Sequence, residues 1–267
     1  MVRVPANDQT AVLADMLNDM KIAVENALPH KFRVTHAVVT SPDSIRLTAE
    51  EIGDVLDFLH ITNLMAAPDE LFSASAAYAG LGNGLCKTYS DPYTCAEEEH
   101  FDLPFERILV VGFSDAALSM TLKGMRSYTS TGADAAFIDL ELGYADAASD
   151  TDVQQLYAKI GARMREFVQE YRFKVTKILL TGTRVGDGRF KQTLKDALAV
   201  SVAPQALTQT SPNEQAEELL HVFATAQGAA EVAKRRLEGP VRCHWKSTCE
   251  FLQTVQASGR EKDGMEL

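Results

Sequence analysis

The sequence predicts an α/β protein with a mixed sheet. Runs rich in Val, Ile and Thr alternate along the chain with amphipathic helical stretches, the pattern of helices layered on a sheet. Two of the strand-like runs, Arg107–Phe113 and Leu118–Lys123, are joined so tightly that they must pair antiparallel. An apolar content of 46% over 267 residues is ample for a buried core.

From Leu13 to Leu28, apolar residues fall at Leu13, Met16, Leu17, Met20, Val24 and Leu28, the spacing of one helix face, and Pro29 ends the helix. Arg33–Thr40 reads as a buried strand that Ser41-Pro-Asp-Ser breaks. Thr48 with Glu51 is a capping box for a helix reaching His60. Ile61–Met65 is a short strand, and Asp69–Gly80 an Ala-rich helix. Leu81–Pro104, with Gly, Pro, two cysteines and Glu97-Glu98-Glu99, reads as an exposed connection between residues 1–103 and 104–267.

After the hairpin, a third strand is expected near Arg126–Thr131, then a polar segment to Asp152. Val153–Tyr171 is a helix with Leu156, Ile160, Met164 and Phe167 on one face. Lys177–Thr181 is a buried strand, Gly182–Gly188 a loop and Arg189–Leu198 a helix. Glu214–Leu237 is a long helix or a helix pair, interrupted at Gly228, and the tail after Ser258 has a disordered composition.

A formal net charge of −11 repels phosphate backbones, so nucleic acid is not expected as a partner. No leader pattern and no apolar run of membrane-spanning length occurs, which points to a cytoplasmic protein with no membrane partner. Four cysteines fall into two local pairs, Cys86 with Cys95 and Cys243 with Cys249. Neither has zinc-ribbon spacing, and only His244 offers a nearby nitrogen ligand, so no metal is expected. The pairs are read as ordinary thiols or as loop-closing disulfides, reduced thiols being the default in a cytosol. The six histidines form no Ser-His-Asp or H-E-x-x-H pattern.

Several strings then resemble, in order, the nucleotide-binding domain of seventy-kilodalton heat-shock chaperones of the DnaK type. Lys31-Phe-Arg-Val-Thr-His-Ala-Val-Val-Thr-Ser-Pro42 is similar to a strand ending V-T-x-A-V-V-T-V-P, and Leu13–Leu28 to the helix before it. Ser75-Ala-Ala-Tyr-Ala-Gly-Leu81 resembles A-A-A-x-A-Y-G-L. Lys177-Ile-Leu-Leu-Thr-Gly-Thr-Arg184 resembles the adenosine motif, and Gly228-Ala-Ala-Glu-Val-Ala233 the closing helix. The resemblance implies an actin-like, ribonuclease-H-like fold of two lobes, with residues 1–103 a remnant of the first lobe plus connection and 104–267 the second.

The family's ATPase equipment does not carry over. The segment before Leu13 is too short for the first phosphate loop, and Ala66 and Ala67 stand where the family's N-E-P motif has Asn and Glu before Pro68. The positions of the second phosphate loop, D-L-G-G-G-T, hold Val111, Gly112, Phe113, Ser114, Asp115 and Ala116. A triphosphate needs glycine-lined backbone and cations, whereas Phe113 blocks approach and Asp115 adds a like charge. Thr131–Val153 is too short for the adenine-clasping subdomain. No ATP hydrolysis and no cofactor are expected.

With the family's layout, strand ends converge on one crevice containing Ser41, Asp43, Phe113, Ser114, Asp115, Thr183, Arg184 and Asp187. That mixture suits a small, largely apolar organic ligand. Asp115, Ser114 and Arg184 are the candidate catalytic groups. Ser41, Asp43, Phe113, Thr183 and Asp187 are the candidate ligand-binding ones. The expectation is a cofactor-independent cyclase or isomerase, of a kind drawn into fungal secondary metabolism. The alternatives are a pseudo-ATPase interaction module and a residual ATP sensor. Each polar residue also has a bland role as turn, cap or ion pair. Lys234-Arg235-Arg236 and Glu97–Glu99 would be complementary patches of a homodimer.

Overall fold

The computed structural model describes residues 7–28, 32–45, 47–65, 70–129, 132–146, 149–171, 174–199 and 214–238. Pro29, Ala66, Ala67, Pro68, the pair Cys243 and Cys249, His244 and the tail after Ser258 lie outside them.

Helix α1 (Asp8–Ala27) opens on a capping box in which Asn7 and Thr10 satisfy each other's backbone N–H. The Arg33–Thr40 run is not one strand. It divides into β1 (His36–Ala37) and β2 (Thr40–Ser41), because each turns to a different parallel partner: β1 to β3 (Thr62–Asn63), β2 to β4 (Leu71–Phe72). Helix α2 (Ala49–Phe58) carries the Thr48 and Glu51 box read from the sequence. It packs through Ile52, Val55 and Leu56 against Ala14 of α1 and Ile61.

The central sheet has the order β7-β6-β5-β8, with β5 (Glu106–Phe113), β6 (Leu118–Met125), β7 (Ala135–Asp139) and β8 (Lys177–Thr181). β5 and β6 pair antiparallel with Phe113 opposite Leu118, β7 continues antiparallel, and β8 runs parallel to β5. The third strand therefore starts at Ala135 rather than at Arg126. The expected strand near Arg126–Thr131 fails because Ser127 and Thr129 hydroxyls bond locally and Tyr128 N–H donates to Gly84 O at 3.1 Å, which pulls the chain off the sheet.

Helices cover both faces of the sheet, so the inner strand β5 is apolar over consecutive residues from Ile108 to Val111, whereas its neighbour β6 alternates, with Ser119, Thr121 and Lys123 between its apolar residues. Leu109, Val111 and Phe113, with Leu118, Met120 and Leu122, meet α5 (Asp150–Glu170) and α6 (Gly188–Leu198). Ile108, Val110 and Leu179 meet α3 (Ser73–Gly80) on the other face, where α3 lies against α7 (Glu214–Glu238). α7 is continuous through Gly228, contrary to the expected interruption. The glycine serves a close helix contact instead: a Cβ there would collide with Ala76 O and stand 2.8 Å from Gly80 N.

The Leu81–Pro104 segment is less exposed than its composition suggests. It contains α4 (Pro92–Glu97), a π-helical turn (Glu98–Asp102) and a Cys86–Cys95 disulfide, with Cys86, Cys95 and Glu99 buried. Arg235 of α7 donates to Cys86 O at 2.8 Å, and its guanidinium lies 4.8 Å from the Tyr89 ring centre. The acidic run and the basic helix end thus meet within one chain. Glu98 accepts from Lys87 N–H and Thr88, while Glu99 and Arg235 line one small pocket.

Candidate functional site

The carboxyl ends of β5 and β8 bring six of the expected residues together. Ser114 and Asp115 occupy the β5–β6 turn, where Ser114 Oγ accepts from Ala116 and Ala117 N–H at 3.2 and 3.3 Å. After β8, Gly182 adopts φ +106°, a conformation glycine alone takes readily, and its α-carbon lies so close to Phe113 O that no Cβ would fit. That contact lets Arg184 N–H donate to Phe113 O at 3.0 Å and aims the Arg184 side chain at Asp115. The guanidinium donates to Asp115 Oδ1 at 2.7 and 2.8 Å and stacks on Tyr144, 4.3 Å from the ring centre. Asp115 raises the Arg184 pKa above its ordinary value, so the guanidinium stays charged. Thr183 is exposed beside it.

Below this rim the residues are structural. Phe113 is fully buried and stacks on Phe190 at 4.7 Å, with Tyr144 and Tyr157 edge-on at 6.4 and 6.2 Å. It is a core side chain, not the wall of an open cleft. Asp187 caps α6, accepting from Arg189 and Phe190 N–H at 2.8 and 3.0 Å. The Tyr157 hydroxyl is buried without a hydrogen bond; burial and then the nearby Asp187 push its pKa well above the usual phenol range. Asp187 is near enough for that effect yet outside hydrogen-bonding geometry.

Ser41 and Asp43 do not join this group. Asp43 Oδ2 accepts from Ala74 N–H at 3.0 Å, holding the start of α3, and Asp43 Oδ1 stands 3.8 Å from Lys123 Nζ. Both side chains are 1% exposed. Lys123 pairs across the sheet with Ile108, five residues from Phe113, which is roughly 17 Å along a strand. Lys123 Nζ donates to Ser75 Oγ at 2.9 Å and lies 5.3 Å from the Phe72 ring centre. Burial pushes its pKa below the ordinary lysine value, and Asp43 opposes that shift. Ser41, on β2 beside Phe72, is buried in the same neighbourhood.

Sequence reasoning missed Lys123, Tyr144 and Tyr157. Lys123 sits in an alternating strand, where a lysine reads as solvent-facing, and only α3 on that face reveals its burial. Tyr144 meets Arg184 from a 3-10 turn and Tyr157 lies below the rim on α5, and no spacing rule links either to Arg184.

A second surface comes from α1. Its Leu13 and Leu17 edge packs on α2, but Val12, Met16 and Met20 are 70%, 52% and 57% exposed at four-residue spacing. Ile22, Val24 and Phe32 are exposed as well. Among the described residues, the exposed ionic groups beside that stripe are Asp15 and Asp19, with the exposed Arg33 beside Phe32 standing 3.8 Å from Glu25, whereas Lys21 turns away to donate to Leu59 O.

No helix among the described residues is long and apolar enough to cross a membrane. No protein-family model matches the chain, and no curated protein matches it either. Among solved structures it is similar to the ethanolamine utilization protein EutJ from Carboxydothermus hydrogenoformans. The identity is 12%, over 83% of this chain and 74% of that one, with a TM-score of 0.42. A likeness that loose fixes neither family nor activity.

Proposed function

We propose that this chain is a non-hydrolysing interaction module built on one ribonuclease-H-like lobe of an actin-like fold, with the open face of α1 as its docking surface. The carrying observation is the Val12, Met16 and Met20 stripe, which leaves a helix apolar on a face that nothing among the described residues covers. The sheet order β7-β6-β5-β8, antiparallel except for β8, supports the lobe. The capping roles of Asp43 and Asp187 and the burial of Phe113 speak against a catalytic cleft shared with Ser41. The occupant is a protein helix with an apolar face bordered by Lys or Arg, because Asp15 and Asp19 flank the stripe on a chain of net charge −11.

Two synthetic amphipathic helices that share one Leu-rich face, one flanked by Lys and one by Glu, test this reading by fluorescence anisotropy. The basic helix binds, and binding weakens as salt is raised. Met16→Glu with Met20→Glu abolishes it while shifting stability by less than about 0.5 kcal/mol, since both side chains are exposed. Equal binding of both helices, or a concentration-dependent dimer that the same substitutions dissolve, replaces the basic partner with a second copy or a nonspecific surface.

The unmatched Tyr157 hydroxyl favours a second reading, a small, largely apolar organic ligand at the rim that offers one acceptor. Asp115, Ser114 and Arg184 are then the groups that orient it for a cyclisation or isomerisation, in which positioning alone supplies roughly 7–11 kcal/mol. Native mass spectrometry of the purified chain shows a retained small molecule in that case, lost in Tyr157→Phe and in Arg184→Gln. Retention unchanged in both variants removes the rim from consideration. Calorimetric titration with Mg-ATP at high micromolar concentration gives no heat under either reading.

A further inference from the structure

Cys86, Cys95 and Glu99 form a buried cluster, with the partly buried Arg235 beside it, away from both surfaces above. Cys95 and Glu99 stand four residues apart, so their side chains share one helical face, and Cys86 approaches from the preceding loop. The ligand atoms of all three lie within 4.8 Å of one another. Ser127 Oγ donates to Glu99 Oε2 at 2.9 Å, and Glu99 Oε1 lies 3.7 Å from Cys95 Sγ. In the disulfide that sulfur has no hydrogen to offer. Arg235 Nη1 lies 3.4 Å from Cys86 Sγ, while its Nε donates to Glu231 Oε1 at 2.8 Å.

We propose that reduction converts this disulfide into a zinc(II) site made by Cys86 Sγ, Cys95 Sγ and Glu99 Oε1. A dithiol or phosphine reductant supplies two electrons that break the S–S bond, two protons give the two thiols, and the reductant leaves as its own disulfide or oxide. Zinc(II) then displaces those two protons. Two thiolates and a carboxylate carry three negative charges and the metal leaves one, which lies beside Arg235, itself paired with Glu231, and near Arg236, which lines the adjoining pocket. Sulfur with oxygen is a donor set zinc accepts in tetrahedral geometry. The adjoining pocket, lined by Tyr89, Pro92, Tyr128, Arg235 and Arg236 beside Cys95 and Glu99, holds about 30 Å³, enough for a water as fourth ligand. Ser127 and Arg235 are the outer hydrogen bonds that hold the carboxylate and one thiolate in place. The loop thus stays tied to α4 and α7 in reducing as well as oxidising surroundings.

The full chain carrying Cys243→Ser and Cys249→Ser, reduced with a phosphine under argon, is titrated with cobalt(II) and then zinc(II). One equivalent of cobalt gives thiolate charge-transfer absorption and the visible bands of tetrahedral cobalt, zinc bleaches both, and the oxidised chain shows neither. Glu99→Gln keeps both sulfurs and lowers zinc affinity at least about tenfold, and Arg235→Ala weakens it by a similar factor. Absence of the cobalt bands after reduction overturns the proposal. So do equal bands in the oxidised chain, and so does unchanged affinity in Glu99→Gln.

Discussion

Asp43→Ala will cost roughly 3–5 kcal/mol of folding stability, because it leaves the Lys123 ammonium buried with Ser75 as its remaining close partner. The cost of losing the α3 cap at Ala74 is smaller, about 1 kcal/mol. A domain of this kind has about 5–15 kcal/mol in total, so the variant loses a large share of it. Urea denaturation reads the effect as a lower midpoint at unchanged slope. Adding Lys123→Met restores most of the loss, since an apolar side chain of similar length removes the stranded charge. If Asp43→Ala costs only the cap, the ion pair is not what holds this junction.

The same pair sets a pH dependence. Burial lowers the folded-state pKa of Lys123 below its unfolded value, against the pull of Asp43. Between those two values the unfolded chain binds more protons, so stability rises with pH across the window up to the ordinary lysine value of about 10.4. Asp43→Ala removes the opposing pull, lowers the folded pKa further and widens that window. Denaturation midpoints measured across the alkaline range test the sign.

Gly228→Ala in α7 will destabilise the chain by about 1–3 kcal/mol. Helix propensity alone argues the opposite, a gain of up to about 1 kcal/mol for replacing an interior glycine. Contact prevails because the added methyl would meet Ala76 O and Gly80 N, backbone atoms of α3 that move only if the two helices part. Gly53→Ala in α2 is the control. No atom lies within 4 Å of the Cβ it would add, so it will stabilise by about 0.5–1 kcal/mol. Thermal unfolding of the pair separates the two effects, and a stabilised Gly228→Ala would falsify the close-packing account.

Much of the architecture was legible. The Thr48 and Glu51 box, the Val153–Tyr171 face and the Arg107–Lys123 hairpin are local signals, each contained in a few residues whose spacing repeats with the element. The Arg33–Thr40 run misled because both mini-strands share one apolar string, and only their partners β3 and β4 separate them. Gly228 misled in the same way: a glycine in a helical pattern looks like a break until the helix it touches is known. Of the eight expected site residues, six gather at the end of β5 and β8, because Gly182 brings that turn against Phe113. Ser41 and Asp43 lie elsewhere, since β2 and α3 dock near Ile108 instead.

The sequence by itself determined the α/β class, the principal helices and the central hairpin, because periodicity and capping depend on neighbours within one turn or one strand. It also marked Asp115 and Arg184, though not that they meet in an ion pair. Only the tertiary structure decided that Lys123 is buried, that α1 keeps an apolar face in solvent, and that Glu99 lies beside two cysteines and an arginine. Those facts depend on which element covers which face. That is settled by contacts between residues far apart in the chain, which no local pattern records.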